Sequence, residues 1–348
     1  MPLDLLLDTL GDQGSTALAG LVIGALFGFC AQRSRFCLRS ACIEFWRRSG
    51  TAKLAVWLFA FATALLATQL LSWLGEFDAS AARQLSSRGS LSGALVGGLL
   101  FGIGMVLARG CSSRMLVLAA NGNLRALLAG LIFAVTAQAA LAGSLAPLRQ
   151  WIAGWWTVPA DSRNLLALLG WGHGGGLAFG LVWLLAALYC ARRARLFAWG
   201  LWGGIGVGLT VALAWLATYQ ISLQAFTPIP VEALSFTGPS ARTLMRVLSP
   251  WEPALDFDLG LVPGVALGAF IAAWQSQELK LEGFKDGQSM RRYILGAIAM
   301  GFGGMLAGGC AVGAGISGAA IFALTAWLTL IAMWIGAGLT DYWLDRRR

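Results

Sequence analysis

Residues 97–111 read GGLLFGIGMVLARGC, and residues 296–310 repeat the pattern as GAIAMGFGGMLAGGC. Seven of the fifteen positions are identical at an offset of 199 residues, including the final Gly-Cys pair. Apolar residues with regularly placed glycines are typical of membrane helices that pack closely together. The glycine before each cysteine favours a break in the helix at that point. The two stretches therefore predict a duplicated membrane unit with a broken helix in each half.

The composition of the whole chain agrees with a membrane protein. Of its 348 residues, 58% are hydrophobic and only 12% are charged, and the mean hydropathy is +0.72. A soluble domain is closer to half apolar and a quarter charged. This balance excludes a soluble enzyme and, despite the net charge of +9, a nucleic-acid-binding protein. The surplus of Lys and Arg is expected instead in cytoplasmic loops.

The apolar segments predict an all-α integral membrane protein with about nine transmembrane helices and short re-entrant helices at the Gly-Cys turns. The segments are 17–32, 52–74, 91–108, 124–146, 164–190, 197–221, 259–275, 292–308 and 318–344. Basic residues concentrate in 33–53, 109–125, 191–195 and the tail 346–348, whereas the connections 75–90, 147–163 and 222–257 have net charges between −1 and +1. This alternation predicts an amino terminus outside and a cytoplasmic carboxyl terminus.

A second pair of stretches is also alike. GLVIGALFG at 20–28 and GLVPGVALG at 260–268 share five of nine positions. Together the pairs predict a single transporter domain over 1–348 with a pseudo-twofold repeat, its halves near 15–160 and 161–345. If every apolar segment crosses the membrane once, the two Gly-Cys segments run antiparallel to each other. The segments 20–28 and 260–268 then run parallel. A strict repeat would relate both pairs in the same way, so the two results conflict. Either some segments are re-entrant hairpins, or the first half has an extra crossing.

Three of the six cysteines have similar surroundings, because Cys37, Cys111 and Cys310 each follow a helix rich in small residues. Backbone amides at the start of the next helix would offer donors to an anion. A neutral thiol is a weak, soft donor that suits a sulfur anion. The pattern predicts an anion path, with packing of each cysteine as a small hydrophobe as the alternative. The glycines expected to open this path are Gly110, Gly308 and Gly309.

Four arginines lie next to these cysteines. Arg109 and Arg114 flank Cys111, and each would cost about 2.5–3.5 kcal/mol at membrane depth unless it lined a polar cavity. A permeating anion would favour that placement. Arg33 and Arg35 are explained equally well as residues of a cytoplasmic loop.

The single histidine excludes a histidine-based metal site, and no cofactor is predicted. A catalytic thiol would need a neighbouring base, which the sequence does not offer, so we expect a transporter rather than an enzyme.

The motifs resemble the YeeE/YedE family of bacterial inner-membrane sulfur transporters, whose characterised members take up thiosulfate. The resemblance is carried by GLVIGALFGFCAQRSRFC at 20–37, GGLLFGIGMVLARGC at 97–111, GVALGAFIAAW at 264–274 and AMGFGGMLAGGCAVGAG at 299–315. It implies an hourglass-shaped helical protein in which thiosulfate passes along Cys37, Cys111 and Cys310 through S–H···S and S–H···O contacts. It also implies, as in some relatives, a small cytoplasmic TusA-like sulfurtransferase as partner.

One departure from the family pattern affects the choice of substrate. Similar transporters carry Gly-Gly-Cys at the second cysteine, whereas this chain has Arg109-Gly110-Cys111 followed by Ser112-Ser113-Arg114. The added charge leaves open another sulfur or selenium anion, such as sulfite. A membrane-embedded sulfurtransferase that forms a persulfide on a cysteine is the alternative from another class.

Overall fold

The computed structural model describes residues 4–249, 255–283 and 287–344, and its regular structure is almost entirely helical. Long apolar runs form helices because a helix satisfies its own backbone polar groups in lipid. The α-helices of these ranges are α1 (Asp4–Ser34), α2 (Leu38–Arg47), α3 (Ala52–Trp73), α4 (Arg83–Ser86), α5 (Leu91–Leu107), α6 (Ser112–Ala120), α7 (Leu124–Ala142), α8 (Ala146–Ala153), α9 (Leu165–Leu168), α10 (His173–Ala194), α11 (Ala198–Gln224), α12 (Thr237–Leu248), α13 (Phe257–Gln275), α14 (Gly287–Leu306) and α15 (Leu324–Leu344).

The remaining regular elements are short. Two-residue strands β1 (Gly89–Ser90) and β2 (Thr157–Val158) pair antiparallel. Single 3₁₀ turns cover Ala79–Ala81 and Ala160–Ser162, and a π-helical turn covers Gly313–Gly318. The π-helical turn begins three residues after Cys310, just beyond the point where the sequence predicts a broken helix.

Within the described ranges, eight helical stretches are long and apolar enough to cross a membrane, one fewer than predicted. Two of them, Leu10–Arg47 and Leu91–Ala120, join a long helix to the short helix that follows it. The predicted segment 292–308 lies in α14, where Arg291 and Arg292 lower the mean hydropathy of the 20-residue helix. The basic tail used to orient the carboxyl terminus, 346–348, lies outside the described residues.

Helices α5 and α14, which carry the two Gly-Cys stretches, pack against each other in opposite directions. Gly97 lies against Gly303, and Gly104 lies against Gly296, so residue numbers rise along one helix as they fall along the other. A Cβ atom on Gly97 would lie 2.5 Å from the Gly303 carbonyl oxygen. Only glycine permits this approach, which explains the regular glycines of both helices.

Helices α1 and α13 pack in the same direction along their glycines. Gly20, Gly24 and Gly28 lie against Phe257, Leu261 and Val265 in turn, so residue numbers rise together. The stretches 20–28 and 260–268 are therefore packing partners, and their assignment as repeat counterparts is wrong. They look alike because two helices in close contact both need a small residue at every fourth position.

The contacts between helices point to a different set of counterparts. Helices α3 and α11 also pack in parallel, with Gly204 against Val56 and Gly208 against Ala60, as α13 and α1 do. The stretch GLWGGIGVG at 200–208 shares four of nine positions with 20–28. We infer an inverted repeat with α10 as an additional helix against α3. In this repeat, the elements of the first half correspond in order to those of the second half: α1 to α11, α2 to α12, α3 to α13, α5 to α14, α6 to the π-helical turn, and α7 to α15.

Short helices follow each break in this arrangement. The nine residues of α6 span about 14 Å at 1.5 Å per residue, roughly half of the hydrocarbon thickness of a bilayer. Because α6 packs against α7 beyond a turn at Asn121–Asn123, it forms a hairpin rather than a full crossing. The starts of such helices lie inside the protein, where their amides face other residues rather than lipid.

Candidate functional site

Cys37 and Cys111 lie next to each other at the starts of two short helices. Cys37 precedes α2 and is 7% exposed, whereas Cys111 precedes α6 and is fully buried. Their side chains interact directly, and the backbone amides of Ser40 and Arg114 lie beside the respective sulfurs. The Ser113 hydroxyl is 3.4 Å from the Cys111 sulfur. Residues at the starts of two separate short helices thus form one thiol pair.

Cys310 forms a second thiol site, in the other half of the repeat. Its side chain is fully buried, and its sulfur accepts hydrogen bonds from the backbone N–H groups of Gly313, at 3.4 Å, and Phe236, at 3.3 Å. The Gly313 amide belongs to the π-helical turn that follows this cysteine. In all three cases, therefore, the sulfur lies beside the amide three residues further along. This amide carries part of the positive charge at a helix start.

Three phenylalanines connect the two thiol sites through the core. Phe27 on α1 contacts Phe36 with ring centroids 6.3 Å apart and Phe236 with centroids 5.2 Å apart. Phe36 precedes Cys37 in the chain, and Phe236 donates its N–H to Cys310. All three rings are at most 1% exposed. In this conformation of the protein, a dry aromatic contact thus separates the thiol pair from Cys310.

Arg114 is the predicted arginine that reaches the thiol pair. It interacts electrostatically with both sulfurs, and its guanidinium donates a 3.2 Å hydrogen bond to the Gln32 side-chain oxygen. The Gln32 amide in turn donates to Glu278, at 2.7 Å. Neither Gln32 nor Glu278 was predicted from the sequence. Gln32 lies in the same motif as Cys37, whereas only the fold brings Glu278 to this position.

Arg33 and Arg35 lie at an open cavity of about 390 Å³, which Lys53, Trp199 and Glu278 also line. The Arg33 guanidinium stacks 4.3 Å above the Trp199 ring and hydrogen-bonds the Ser276 hydroxyl. Arg35 forms a 3.2 Å ion pair with Glu278, and both side chains are partly exposed. Glu278 therefore links this cavity to the chain of hydrogen bonds that leads through Gln32 to Arg114. The lining of this open cavity therefore includes three cationic side chains and one carboxylate.

Arg109 does not join the thiol pair. Its side chain is exposed, and its backbone has φ +56°. Gly308, its repeat counterpart, has φ +77°, so both residues form the same left-handed turn before a Gly-Cys pair. Glycine adopts this conformation without strain, whereas arginine does not. The turn is thus retained in both halves despite the substitution.

The second glycines of the two turns differ in the space around them. A Cβ atom on Gly309 would lie 2.7 Å from the Ala314 backbone nitrogen. On Gly110 the nearest atom would be Met115 Cγ, at 3.6 Å, which is an ordinary contact. The turn before Cys310 therefore requires glycine for space, and the turn before Cys111 does not.

A group of charged residues lies beside α12 in the Cys310 half. Asp258, in the first turn of α13, is 4% exposed and lies 3.2 Å from Arg242, which also contacts Asp256 at 2.8 Å. Glu232 lies 3.9 Å from Arg83. Burial raises the pKa of the Glu232 carboxyl above its ordinary value, although the charge of Arg83 opposes this shift.

Membrane-spanning helices and buried thiols at broken helices are features of an integral membrane transport protein. Within that class, the chain belongs to the Sulphur transport family, with residues 33–339 matched. It is similar to the thiosulfate transporter TsuA of Escherichia coli, with 27% identity over 342 residues and 95% of each chain covered. It is also similar to TsuA of Spirochaeta thermophila, with 28% identity over 341 residues, 94% of this chain and 99% of the relative. The predictions of this family and of a transporter rather than an enzyme are confirmed.

Proposed function

We propose that this protein imports thiosulfate, or a closely related sulfur anion, across the bacterial inner membrane along Cys37, Cys111 and Cys310. The observation that carries the proposal is that each of these three buried sulfurs lies beside the amide of a helix start. At each site, the thiol offers a soft hydrogen-bond donor to the anion, and the backbone amide offers a second donor that is aligned with the helix dipole. The names of the two relatives support thiosulfate as the substrate.

Transfer along this path requires no lasting covalent bond. A neutral thiol donates its proton weakly to sulfur or oxygen, so the anion exchanges one set of weak donors for the next. Gly308 and Gly309 keep the backbone of the turn free of side chains at Cys310, and Gly110 does so at Cys111. The charge of Arg114 favours a dianion beside the Cys37–Cys111 pair, because a cation in a low-dielectric site attracts an anion strongly.

The cavity that contains Arg33, Arg35 and Lys53 would be the cytoplasmic exit. Basic loops are retained on the cytoplasmic side, which supports an amino terminus outside and a carboxyl terminus in the cytoplasm. A small TusA-like sulfurtransferase would accept the sulfur at this exit. Retention of such a protein by the purified transporter, and its loss in a variant with Arg35→Glu, would test the partner.

Uptake of radiolabelled thiosulfate into proteoliposomes tests the function directly. We expect saturable uptake by the wild-type protein, loss of uptake in Cys111→Ala, and uptake close to wild type in the control Cys190→Ala. Cys190 is half-buried on α10, away from the thiol sites. A folded wild-type protein that does not take up thiosulfate would contradict the substrate. A persulfide on Cys111 or Cys310 after turnover, detected by mass spectrometry, would favour a covalent sulfurtransferase.

A further inference from the structure

The inverted repeat gives Cys37 a counterpart that the three-cysteine path leaves out. Residues 36–41 read FCLRSA, and residues 236–241 read FTGPSA, with three of six positions identical at an offset of 200. The first stretch leads into α2 and the second into α12, which are counterparts in the inferred repeat. Phe36 corresponds to Phe236, and Cys37 corresponds to Thr237. The second half therefore has a hydroxyl where the first half has a thiol.

Thr237 is placed near the Cys310 site by the residue that precedes it in the chain. The residue before it, Phe236, donates its backbone N–H to the Cys310 sulfur. A Cβ atom built on Gly304, in the helix that leads to Cys310, would lie 2.8 Å from the Thr237 hydroxyl oxygen. Thr237 thus lies one residue from the backbone contact with Cys310, at the position that corresponds to Cys37 in the inferred repeat.

The Thr237 hydroxyl is one of six buried hydroxyls without a hydrogen-bond partner in the described part of the chain; the others belong to Thr68, Ser72, Ser112, Thr243 and Thr329. The residue is only 1% exposed, and its hydroxyl oxygen has no hydrogen-bond partner there. Buried polar atoms are nearly always hydrogen-bonded, so an unpartnered one needs an explanation. A donor held ready for a passing ligand provides that explanation. Thr329, whose hydroxyl belongs to the same group, lies with its backbone against Gly98 on α5.

We propose that Thr237 is the fourth contact of the path and that its hydroxyl binds an oxygen atom of the anion while Cys310 faces the sulfur. This inference rests on the proposed function and adds a specificity-determining residue to it. An O–H group is a stronger donor than an S–H group and forms short hydrogen bonds to anionic oxygen. The Cys310 site would then prefer a sulfur oxyanion over sulfide, because sulfide has no oxygen for this hydroxyl.

The kinetics of uptake in three variants test this assignment. Thr237→Val keeps the shape and removes the hydroxyl, Thr237→Ser keeps the hydroxyl, and Thr329→Val is the control for loss of a buried hydroxyl elsewhere. We expect Thr237→Val to lower kcat/KM for thiosulfate about 10- to 100-fold, the loss typical of a hydrogen bond to a charged group. Thr237→Ser and Thr329→Val should stay near wild type. Wild-type kinetics in folded Thr237→Val would overturn the proposal.

A second measurement covers the case in which Thr237→Val does not fold. In Thr237→Cys, modification of residue 237 by a small maleimide is followed by mass spectrometry with and without thiosulfate. Thiosulfate should slow this modification, whereas it should not affect a cysteine introduced by Thr329→Cys. Equal modification with and without thiosulfate would overturn the proposal. If the wild-type protein takes up no thiosulfate, the proposed function fails; if it does and only the Thr237 tests fail, this inference alone is wrong.

Discussion

Replacing Gly309 by alanine provides a sharp test of how the Cys310 turn is built. The added methyl group would lie 2.7 Å from the Ala314 backbone nitrogen and 3.1 Å from the Gly313 carbonyl carbon. Both are backbone atoms that cannot rotate away, so the turn itself has to shift. Overpacking of this kind costs about 1–3 kcal/mol. That energy corresponds to a decrease of about 5- to 150-fold in the population of the native turn relative to a displaced one.

Transport should report this displacement, because the Gly313 amide is one of the two donors to the Cys310 sulfur. We expect Gly309→Ala to lower the initial rate of thiosulfate uptake in proteoliposomes by a factor in that range. The matched variant Gly110→Ala adds the same methyl group 3.6 Å from the flexible Met115 side chain and should lower uptake far less. Thermal unfolding in detergent would show whether both proteins are folded. Equal effects of the two substitutions would show that backbone crowding at Gly309 does not control the Cys310 site.

Further substitutions test individual contacts. Arg114→Gln should raise the KM for thiosulfate severalfold by removing the charge beside the thiol pair, and an unchanged KM would exclude that role. Arg109→Gly should keep uptake and raise the unfolding temperature, because glycine adopts the left-handed backbone conformation of this position without strain; Gly308 has the same conformation in the other half. Cys310→Ser should retain some uptake and Cys310→Ala should lose it, since a hydroxyl still donates; unchanged uptake in both would remove this residue from the path. Burial raises the pKa of Glu232, so wild-type stability should fall as pH rises from the ordinary pKa of a glutamate to the raised one. Glu232→Gln should therefore unfold at a higher temperature than wild type at high pH, with the difference vanishing in acid; a lower unfolding temperature at neutral pH would contradict this.

The sequence reveals the Gly-Cys turns because close helix packing and helix breaking both require glycine at defined positions. For the same reason it misleads about the repeat. Gly20 and Gly260 have similar neighbours in the sequence because they face each other across one contact, not because they are related by symmetry. A rule about spacing identifies a surface that packs closely, but it does not say which helix packs there.

The thiol pair could not be predicted from the sequence for a different reason. Cys37 and Cys111 precede separate short helices, and Glu278 reaches them through Gln32 and Arg114 from a third segment. Such contacts depend on how helices are arranged, whereas local patterns specify only the helices themselves. The sequence also did not reveal that the Arg109 side chain is exposed, since the left-handed backbone at this residue decides where the side chain points.

The contact of Phe27 with Phe36 and Phe236 has an electrical consequence. Where wet cavities approach a thin dry layer from both sides, most of the membrane voltage falls across that layer. A charge that crosses it exchanges about 2.3 kcal/mol with each 100 mV, and a dianion therefore about 4.6 kcal/mol. Because the cytoplasm is negative, an anion that moves inward past the three rings moves against the membrane voltage. Accumulation by such a protein thus requires either cations that move with the anion or rapid consumption of the anion inside the cell.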